Sequence, residues 1–325
     1  MAVMKRNIDN VHRNTSKQLK LLEKAINKMY KDASANAASA GAAFFNKFKS
    51  EWDEKRRQLT RGNISITDWV TWASDTVFKN EGFEGVCDEL IDGLTGTDAE
   101  SRALIDEIRT NVYVYSHNYT AYTIENTFYD VSFSIVNEST VKLLQAGKTP
   151  ILPVLTANTT KAQKWLQKRI RQEVTAGILN GESIPKMAKR LANVSNMSRA
   201  TAVRTARTAC TSAENAGRQD VYEDAADQGL ILQKQWICTV DSRTRSSHAS
   251  IDGEIVRYDD KFSNGVKYPG DPSGPPKEVY NCRCTMVTVD PVASEGERRV
   301  NHPSVDGDVL EFKTFDEYIV AKGSD

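Results

Sequence analysis

The sequence predicts a mainly α-helical protein, with a long helical N-terminal body followed by a small α+β C-terminal module. Apolar residues recur at spacings of three and four up to about residue 229, as one face of a helix requires. After that point short apolar runs alternate with Gly, Pro, Asp and Ser, which is typical of strands and turns. We therefore predict three consecutive parts, which are helical region 1–150, helical region 151–229 and module 230–325.

Length and composition are those of a globular protein without a membrane span. The chain has 325 residues, of which 26% are charged and 39% hydrophobic. It contains no apolar run near the roughly 18 residues that cross a bilayer. The N-terminus lacks the apolar core of a signal peptide, so we expect the five cysteines to be reduced in a cytosol. Their odd number also argues against a disulfide framework.

Charge is segregated along the chain although the net charge is zero. Residues 1–50 and 151–200 each carry a net charge of +7, whereas 51–100 carry −7 and 251–325 carry −6. Such blocks suit a subunit that packs basic faces against acidic faces or against DNA. The alternative is a set of solvated helix faces.

The first 150 residues are predicted to be a series of helices. A basic amphipathic helix is expected over about 5–32, and an Ala-rich helix follows over 32–48 after a break. Residues 64–78 form a helix capped by Ser65 or Thr67. Another helix opens in the segment 98–111, and the aromatic-rich segment 112–133 is ambiguous between helix and strand, with helix favoured.

Three further helices are predicted before the module. A Pro-containing connector, 147–155, precedes a helix over 160–181 that ends at Gly181. Ser183 caps the next helix, 183–194, and a third helix covers 198–229. In the third helix small residues recur at spacings of four and three, which allows close approach of a neighbour: Ala202, Ala206, Ala209, Ala213 and Ala216.

A basic cluster lies on the helix over 160–181. Its cationic side chains are candidates for contacts with DNA phosphates or with an acidic partner: Lys161, Lys164, Lys168, Arg169 and Arg171. The same stretch is amphipathic, so these side chains can also be simply solvated while Leu166 and Ile170 pack inward.

The module combines two predicted strands, 231–239 and 282–289, with loops rich in chemically distinctive residues. Their order and spacing resemble the C-terminal module of the phage Mu F-like minor head protein family, over about 50 residues. The matching residues are Trp236, Thr239, Asp241, Arg243, Thr244, His248, Asp252, Gly253, Pro269, Gly270, Asp271, Pro272, Asn281, Cys282, Arg283 and Cys284. The resemblance departs from the family pattern where many relatives carry a Cys-x-x-Cys pair, since Arg245 and His248 stand here, and where relatives often hold an acidic residue near Ala209.

Four residues are candidate metal ligands. Cys282 and Cys284 are one residue apart, so on a strand both side chains point to the same face, and His248 and Cys238 can complete a set of four. Zn²⁺ is the cofactor that such ligands favour, although Cys-x-Cys is a weaker signal than Cys-x-x-Cys. The alternative is a set of reduced cysteines packed as small apolar residues, with His248 bonded to loop carbonyls or to Asp252.

The remaining motif residues are expected to be structural. Asp241 is predicted to pair with Arg243 or Arg283 as a buried ion pair that fixes two loops, and Asp252 is given a similar role. Gly253 suits a tight hairpin turn that requires positive φ. Trp236 and Asn281 complete the structural motif.

The resemblance implies a structural minor head protein of a tailed bacteriophage or prophage. Such a protein acts in head morphogenesis at the portal vertex or in the head interior, after synthesis in the host cytoplasm. Expected partners are the portal protein, capsid or scaffolding proteins, and DNA. We also expect that deleting residues 1–35 leaves the module folded.

Two other functions remain open from the sequence. One is a metal-dependent nuclease or other hydrolase that uses His248, Asp241 and Cys282. The chain has no Gly-rich phosphate loop and no His-Glu-x-x-His helix, so a non-enzymatic role is favoured. The other is a binding module used outside virions, such as a toxin or adaptor.

Overall fold

A computed structural model describes residues 2–128, 131–139, 160–239, 241–289 and 314–323. Its longer helices are α1 (Ala2–Asn46), α2 (Lys49–Thr60), α3 (Ile66–Phe78), α4 (Glu81–Glu125), α5 (Thr160–Leu179) and α6 (Ile184–Asp227). Its shorter elements are β1 (Gln233–Ile237), α7 (Ser246–Ala249), β2 (Ile255–Arg257), α8 (Pro276–Val279), β3 (Thr285–Val289) and α9 (Phe315–Lys322). The fold is mainly helical with a small sheet near the C-terminus, as the sequence predicts. None of the described helices combines the length and the apolar character that a membrane span requires.

The predicted helices are present, but several of them are joined. The break expected near residue 32 is wrong, because α1 is continuous and its buried stripe extends through Ala37, Phe44 and Phe45. Alanine has the highest helix propensity, so the Ala-rich stretch propagates the helix. The segments 98–111 and 112–125 are both parts of α4, and the two helices predicted over 183–229 are one helix, α6.

Two helix ends follow the local signals in the sequence. The Ser65 hydroxyl accepts a hydrogen bond from the Asp68 backbone N–H, and the Asp68 carboxylate accepts one from the Ser65 backbone N–H. This capping box starts α3. Gly229 has a φ of +90° just after α6, close to the boundary predicted near residue 230. The predicted connector 147–155 lies outside the described residues.

The chain divides into two compact units, each assembled from non-consecutive segments. The first unit contains residues 1–22, 105–153 and 204–325, and the second contains 23–104 and 154–203. Helices α1, α4 and α6 therefore contribute residues to both units. The consecutive parts 1–150, 151–229 and 230–325 remain a prediction.

An aromatic core fills the second unit. Trp52 and Trp69 are fully buried, and their rings meet edge to face with centroids 5.0 Å apart. The Trp52 indole N–H donates to the Glu182 carbonyl (3.0 Å) in the turn after α5. The Trp69 indole N–H donates to the Ile178 carbonyl (2.7 Å) near the end of α5. Because both polar atoms are satisfied, the two indoles contribute apolar burial without an unpaired donor.

The N-terminal part of α1 belongs to the first unit. The Asn10 side-chain amide donates to the Tyr119 hydroxyl (3.0 Å), and His12 Nδ1 lies 3.2 Å from a carboxylate oxygen of Glu214. Val11 is buried. Deleting residues 1–35 therefore also removes packing from the unit that contains the module, which revises the expectation that the deletion leaves the module folded.

The sheet of the first unit is antiparallel, with the order β2-β1-β3. In the register of β1 and β3, Trp236 lies opposite Met286 and Ile237 opposite Thr285. One face of β1 is buried and includes Lys234, whose ammonium group donates to Gln219 Oε1 (3.0 Å) and to the Tyr258 carbonyl (2.6 Å). Burial lowers the pKa of Lys234 to about 7.

The outer edge of β3 is covered by α6. Backbone groups of alternate residues point to opposite edges of a strand, so those of Cys282, Cys284 and Met286 face away from β1. An edge strand left bare would expose unpaired N–H and C=O groups. Here side chains of α6 pair with them.

We call these side chains the α6 ladder, which consists of Thr208, Thr211, Asn215 and Arg218. Their spacings of three, four and three place them on one face of the helix. Thr208 Oγ1 accepts from the Asn281 N–H (2.9 Å), and the Thr211 hydroxyl donates to the Cys282 carbonyl (2.7 Å). Asn215 accepts from the Met286 N–H (3.0 Å) and contacts the Cys284 carbonyl (3.4 Å), while Arg218 donates to the Met286 carbonyl (2.9 Å).

Replacing Thr211 with Val is expected to lower the free energy of unfolding by about 1–3 kcal/mol, because the buried Cys282 carbonyl loses its donor while side-chain shape is kept. Thr201→Val is the matched control. Thr201 is an exposed threonine of the same helix whose hydroxyl donates to the Met197 carbonyl, and its substitution is expected to change stability by less than about 0.5 kcal/mol. Urea unfolding measures both variants, and equal effects would contradict a special role for the ladder.

Candidate metal centre

Three of the predicted metal ligands form a buried cluster in the first unit. The Sγ atoms of Cys282 and Cys284 and a ring nitrogen of His248 all lie within 4.8 Å of one another. His248 Nδ1 is 3.4 Å from Cys284 Sγ and 3.7 Å from Cys282 Sγ. Bonds of about 2.3 Å to sulfur and 2.0–2.1 Å to nitrogen in a tetrahedral zinc site separate such N and S atoms by roughly 3.5 Å. The spacing of the donors therefore fits a zinc ion.

Cys238, the fourth predicted ligand, lies at the edge of this cluster. Its Sγ is 3.9 Å from Cys284 Sγ, close to the roughly 3.8 Å expected between two zinc-bound sulfurs. It is not within the mutually close set formed by His248, Cys282 and Cys284. Its backbone N–H donates to Asp252 Oδ1 (2.7 Å), which fixes the chain where β1 ends. Cys238 is thus the candidate for the fourth position.

Local structure fixes the direction of each ligand. The α6 ladder holds the backbone of Cys282 and Cys284 just before β3. Asn281 begins this segment with a φ of +59°, a left-handed conformation that Asn tolerates better than most residues. His248 lies on the single turn of α7, and the preceding Arg245 donates to the Tyr280 carbonyl.

The three thiols influence one another's ionisation. The hydrogen bond from Cys284 lowers the pKa of Cys282, and the same bond raises the pKa of Cys284 well above its ordinary value. Burial and the nearby Cys284 raise the pKa of Cys238 to about 12. Of the three thiols, Cys282 is therefore the one that ionises most readily. A divalent metal ion would stabilise additional thiolates, because a coordinating thiol is deprotonated.

The second ring nitrogen of His248 faces a carboxylate. Nε2 lies 3.1 Å from Glu278 Oε2, and both side chains are buried. The Ser247 hydroxyl donates to the same carboxylate oxygen (2.8 Å). Asp252, the carboxylate expected to bond His248 in the metal-free alternative, instead accepts the Cys238 N–H. Glu278, from α8 later in the chain, thus stands where a loop carbonyl or Asp252 was expected.

Asp241 and Arg283 form an ion pair with two hydrogen bonds, of 2.6 and 2.7 Å. Arg283 holds the pKa of Asp241 well below its usual range. The pair joins the loop after β1 to the segment before β3, but it is partly exposed and not buried as expected. The Arg243 backbone N–H also donates to Asp241 (2.9 Å), whereas the Arg243 side chain is exposed.

Trp236 on β1 and Gly253 in the connection between β1 and β2 support the cluster. The Trp236 ring is fully buried and meets the His248 ring edge to face, with centroids 5.2 Å apart. Gly253 has a φ of +83°, and its N–H donates to the Trp236 carbonyl (2.9 Å). The turn at Gly253 is not a tight hairpin, because residues 238–254 connect β1 to β2.

The Gly/Pro-rich loop lies against α6. Gly270 has a φ of +82°, and a Cβ there would lie 2.9 Å from the Ser212 backbone nitrogen. Only glycine allows this approach. Asp271 is buried and accepts hydrogen bonds from the backbone N–H groups of Lys267 and Ser273, both at 2.8 Å.

The predicted basic cluster belongs to the second unit and is only partly available to a partner. Lys164 and Lys168 are exposed beside Trp165, which is 45% exposed. Arg169 bonds to Gln172 and Glu173, and Arg171 pairs with Glu84. The side chain of Lys161 lies outside the described residues.

Sequence reasoning missed a buried charge network beside the cluster. Glu214 of α6 accepts hydrogen bonds from Thr285 Oγ1 (2.6 Å) and from Arg218 (3.1 Å), and it lies next to His12. Burial acts to raise the pKa of Glu214, but the charges of His12 and Arg218 and the Thr285 hydroxyl outweigh it and hold the pKa at about 2. The only sequence signal was an acidic residue within a small-residue helix.

The fold and the cluster define a small Cys/His module held on a long helix. Residues 168–287 match the family described as "Phage Mu protein F like protein". The resemblance found in the sequence is thereby confirmed, and this range is a Phage Mu F-like region.

Two relatives are similar to parts of the chain. Minor head protein GP7 of Bacillus phage SPP1 is 28% identical over 193 residues, which cover 57% of this chain and 61% of that protein. NAD(+)--arginine ADP-ribosyltransferase EFV of Enterococcus faecalis is 28% identical over 156 residues, which cover 47% of this chain and 31% of that protein. The chain thus spans less than two thirds of each relative. No solved structure matches the chain.

The Glu214 network predicts a specific acid sensitivity. Since the pKa of Glu214 is about 2 in the folded chain and ordinarily 4.5, its stabilising contribution is complete above pH 4.5 and is lost as the pH falls towards 2. The Glu214→Gln variant is expected to lose about 1–3 kcal/mol less stability than the parent between pH 5 and pH 2. Urea unfolding at several pH values measures this difference. Glu100→Gln, at an exposed carboxylate of α4, is the control, and parallel pH profiles for parent and Glu214→Gln would contradict the assignment.

Proposed function

We propose that this protein is a structural component of a bacteriophage head that acts in head morphogenesis. The observation that carries the proposal is the similarity to Minor head protein GP7, which extends over 57% of the chain. The Phage Mu F-like range supports it, because this range includes the ligand cluster and the α6 ladder. The protein is made in the host cytoplasm and enters the virion at the portal vertex or in the head interior. Its partners are the portal protein and capsid or scaffolding proteins.

The geometry favours a structural role over hydrolysis. His248 and Cys282 are each 2% exposed, so neither reaches a macromolecular substrate, and His248 Nε2 is occupied by Glu278. Asp241, the third residue of the hydrolase alternative, is bonded to Arg283. The similarity to the ADP-ribosyltransferase covers 31% of that enzyme and does not carry its activity to this chain.

Fractionation of induced or infected cells tests the head role. The tagged full-length chain is expected to sediment with procapsids and filled heads, and to co-purify with the portal protein after DNase treatment, which removes bridging by DNA. Recovery only as free chain, or with proteins unrelated to the head, would contradict the proposal and favour a binding module used outside virions.

We further propose that Lys164 and Lys168 contact DNA phosphates. Both side chains are exposed and lie one helical turn apart, and the exposed Trp165 follows Lys164 directly in the sequence. Arg169 and Arg171 contribute less, because they already pair with carboxylates.

Reversing both charges, as Lys164→Glu with Lys168→Glu, is expected to weaken DNA binding and to lower the slope of log affinity against log salt by about two. The control is Lys186→Glu with Lys189→Glu, which changes net charge equally at exposed lysines of α6. Equal weakening by both double variants would show that net charge, and not this surface, binds DNA.

The Cys/His cluster is proposed to hold a structural zinc ion through Cys282, Cys284 and His248, with Cys238 as the fourth ligand. Three donors with this spacing, and a fourth sulfur 3.9 Å from one of them, suit tetrahedral Zn²⁺. When bound, the ion would cross-link the strand ends and α7, so that its binding energy contributes to folding. A rigid module of this kind suits a subunit that must keep its shape inside an assembly.

Metal analysis of the purified chain is expected to find about one zinc per molecule. Cys282→Ser with Cys284→Ser is expected to remove it, whereas Cys87→Ser, at a buried cysteine of the second unit, retains it. A chelator should lower the Tm of the parent but not that of the double variant. A metal-free parent whose Tm is unchanged by zinc or chelator would refute the zinc site.

A further inference from the structure

Glu278 is a buried carboxylate that the phage-head role does not require. It lies on the single turn of α8 and is 5% exposed. The Ser247 hydroxyl donates to its Oε2 (2.8 Å), and the Lys277 ammonium lies 4.0 Å from its Oε1. Burying a carboxylate is unfavourable unless hydrogen bonds or opposite charges compensate for the lost water. The buried ring that Glu278 contacts directly is that of His248, whose Nε2 lies 3.1 Å from its Oε2.

The two nitrogens of the His248 ring face groups of different chemistry. Nδ1 points towards the sulfurs of Cys282 and Cys284, whereas Nε2 points towards the Glu278 carboxylate. A neutral imidazole carries one N–H and one lone pair. A hydrogen on Nε2 bonds to the carboxylate and leaves the lone pair of Nδ1 directed at the sulfurs. The opposite tautomer places a lone pair against the carboxylate and closes Nδ1 to a metal ion.

Arg245 offers a competing contact. Its Nη1 lies 3.4 Å from His248 Nε2, and its Nη2 donates to the Tyr280 carbonyl. A guanidinium group only donates, so Arg245 would favour the tautomer with a lone pair on Nε2. The Glu278 carboxylate is closer to Nε2 (3.1 Å) than Arg245 is and accepts a hydrogen bond, so its preference for the Nε2–H tautomer outweighs that of Arg245 for the other.

We propose that Glu278 is a positioning residue of the metal centre, which holds His248 in the Nε2–H tautomer so that Nδ1 binds a divalent cation together with Cys282 and Cys284. This inference rests on the proposed zinc site and adds a residue outside the four candidate ligands. A carboxylate bonded to the far nitrogen of a ligating histidine orients the ring and raises its basicity, and loss of such a partner costs about 10–100-fold in metal affinity.

The test compares Glu278→Gln and Glu278→Leu with the parent chain in competition titrations of Zn²⁺ against a chromogenic chelator. Gln keeps an acceptor oxygen but no charge, and Leu keeps neither. Affinity is therefore expected to fall in the order parent, Gln, Leu, with a total loss of about 10–100-fold. Glu254→Gln is the control, because this carboxylate of the same module accepts the Ser263 N–H (3.0 Å) and should leave affinity unchanged.

The tautomer is read directly from long-range ¹H–¹⁵N NMR spectra of the metal-free full-length chain, with His248 assigned by His248→Gln. The parent is expected to show the Nε2–H form, and Glu278→Gln a mixture with the Nδ1–H form. This measurement holds even if the Leu variant fails to fold.

The outcomes separate the two proposals. A parent chain that binds no zinc overturns the metal centre and with it the role of Glu278. A parent that binds zinc, with Glu278 variants of equal affinity or with an Nδ1–H tautomer in the parent, overturns only the role of Glu278.

Discussion

The pairing of α6 side chains with the outer edge of β3 is the interaction on which the module depends. The backbone from Asn281 to Met286 would otherwise be an edge with unpaired polar groups, in a unit whose sheet has only short strands. Thr211 and Asn215 supply donors and acceptors where a further strand would have supplied them. A helix thus completes the hydrogen bonding of a three-stranded sheet and fixes the Cys-containing segment at the same time.

The candidate metal centre follows from that constraint. Because the backbone of Cys282 and Cys284 is held from one side, both thiols turn towards His248 on α7. The Asp241–Arg283 ion pair and the Asp252 contact to the Cys238 N–H then bring in the end of β1. Cation binding at this point would join segments that are distant in sequence. The proposed head role requires such shape retention and does not require a reacting group.

Residue spacing predicted much of this fold, and there are physical reasons why it did not predict the rest. Apolar periodicity predicted the helices and a boundary near residue 230. It did not show that α1 is unbroken, because the small alanines after residue 32 mark a buried stripe less clearly than larger apolar residues do. The order of Trp236, His248 and Cys282 indicated the family resemblance and the candidate ligands. The α6 ladder was missed because Thr and Asn on a helix usually face water, and Glu278 because nothing local distinguishes a buried carboxylate from a solvated one.

Amide hydrogen exchange of the full-length chain in the presence of a chelator tests most directly whether the helix, and not a metal ion, builds the site. The amides of Asn281 and Met286, which bond to Thr208 and Asn215, are expected to exchange as slowly as those in the middle of α6. Rapid exchange of residues 281–289 that slows only after zinc is added would contradict it, because the ladder would then form as a consequence of metal binding.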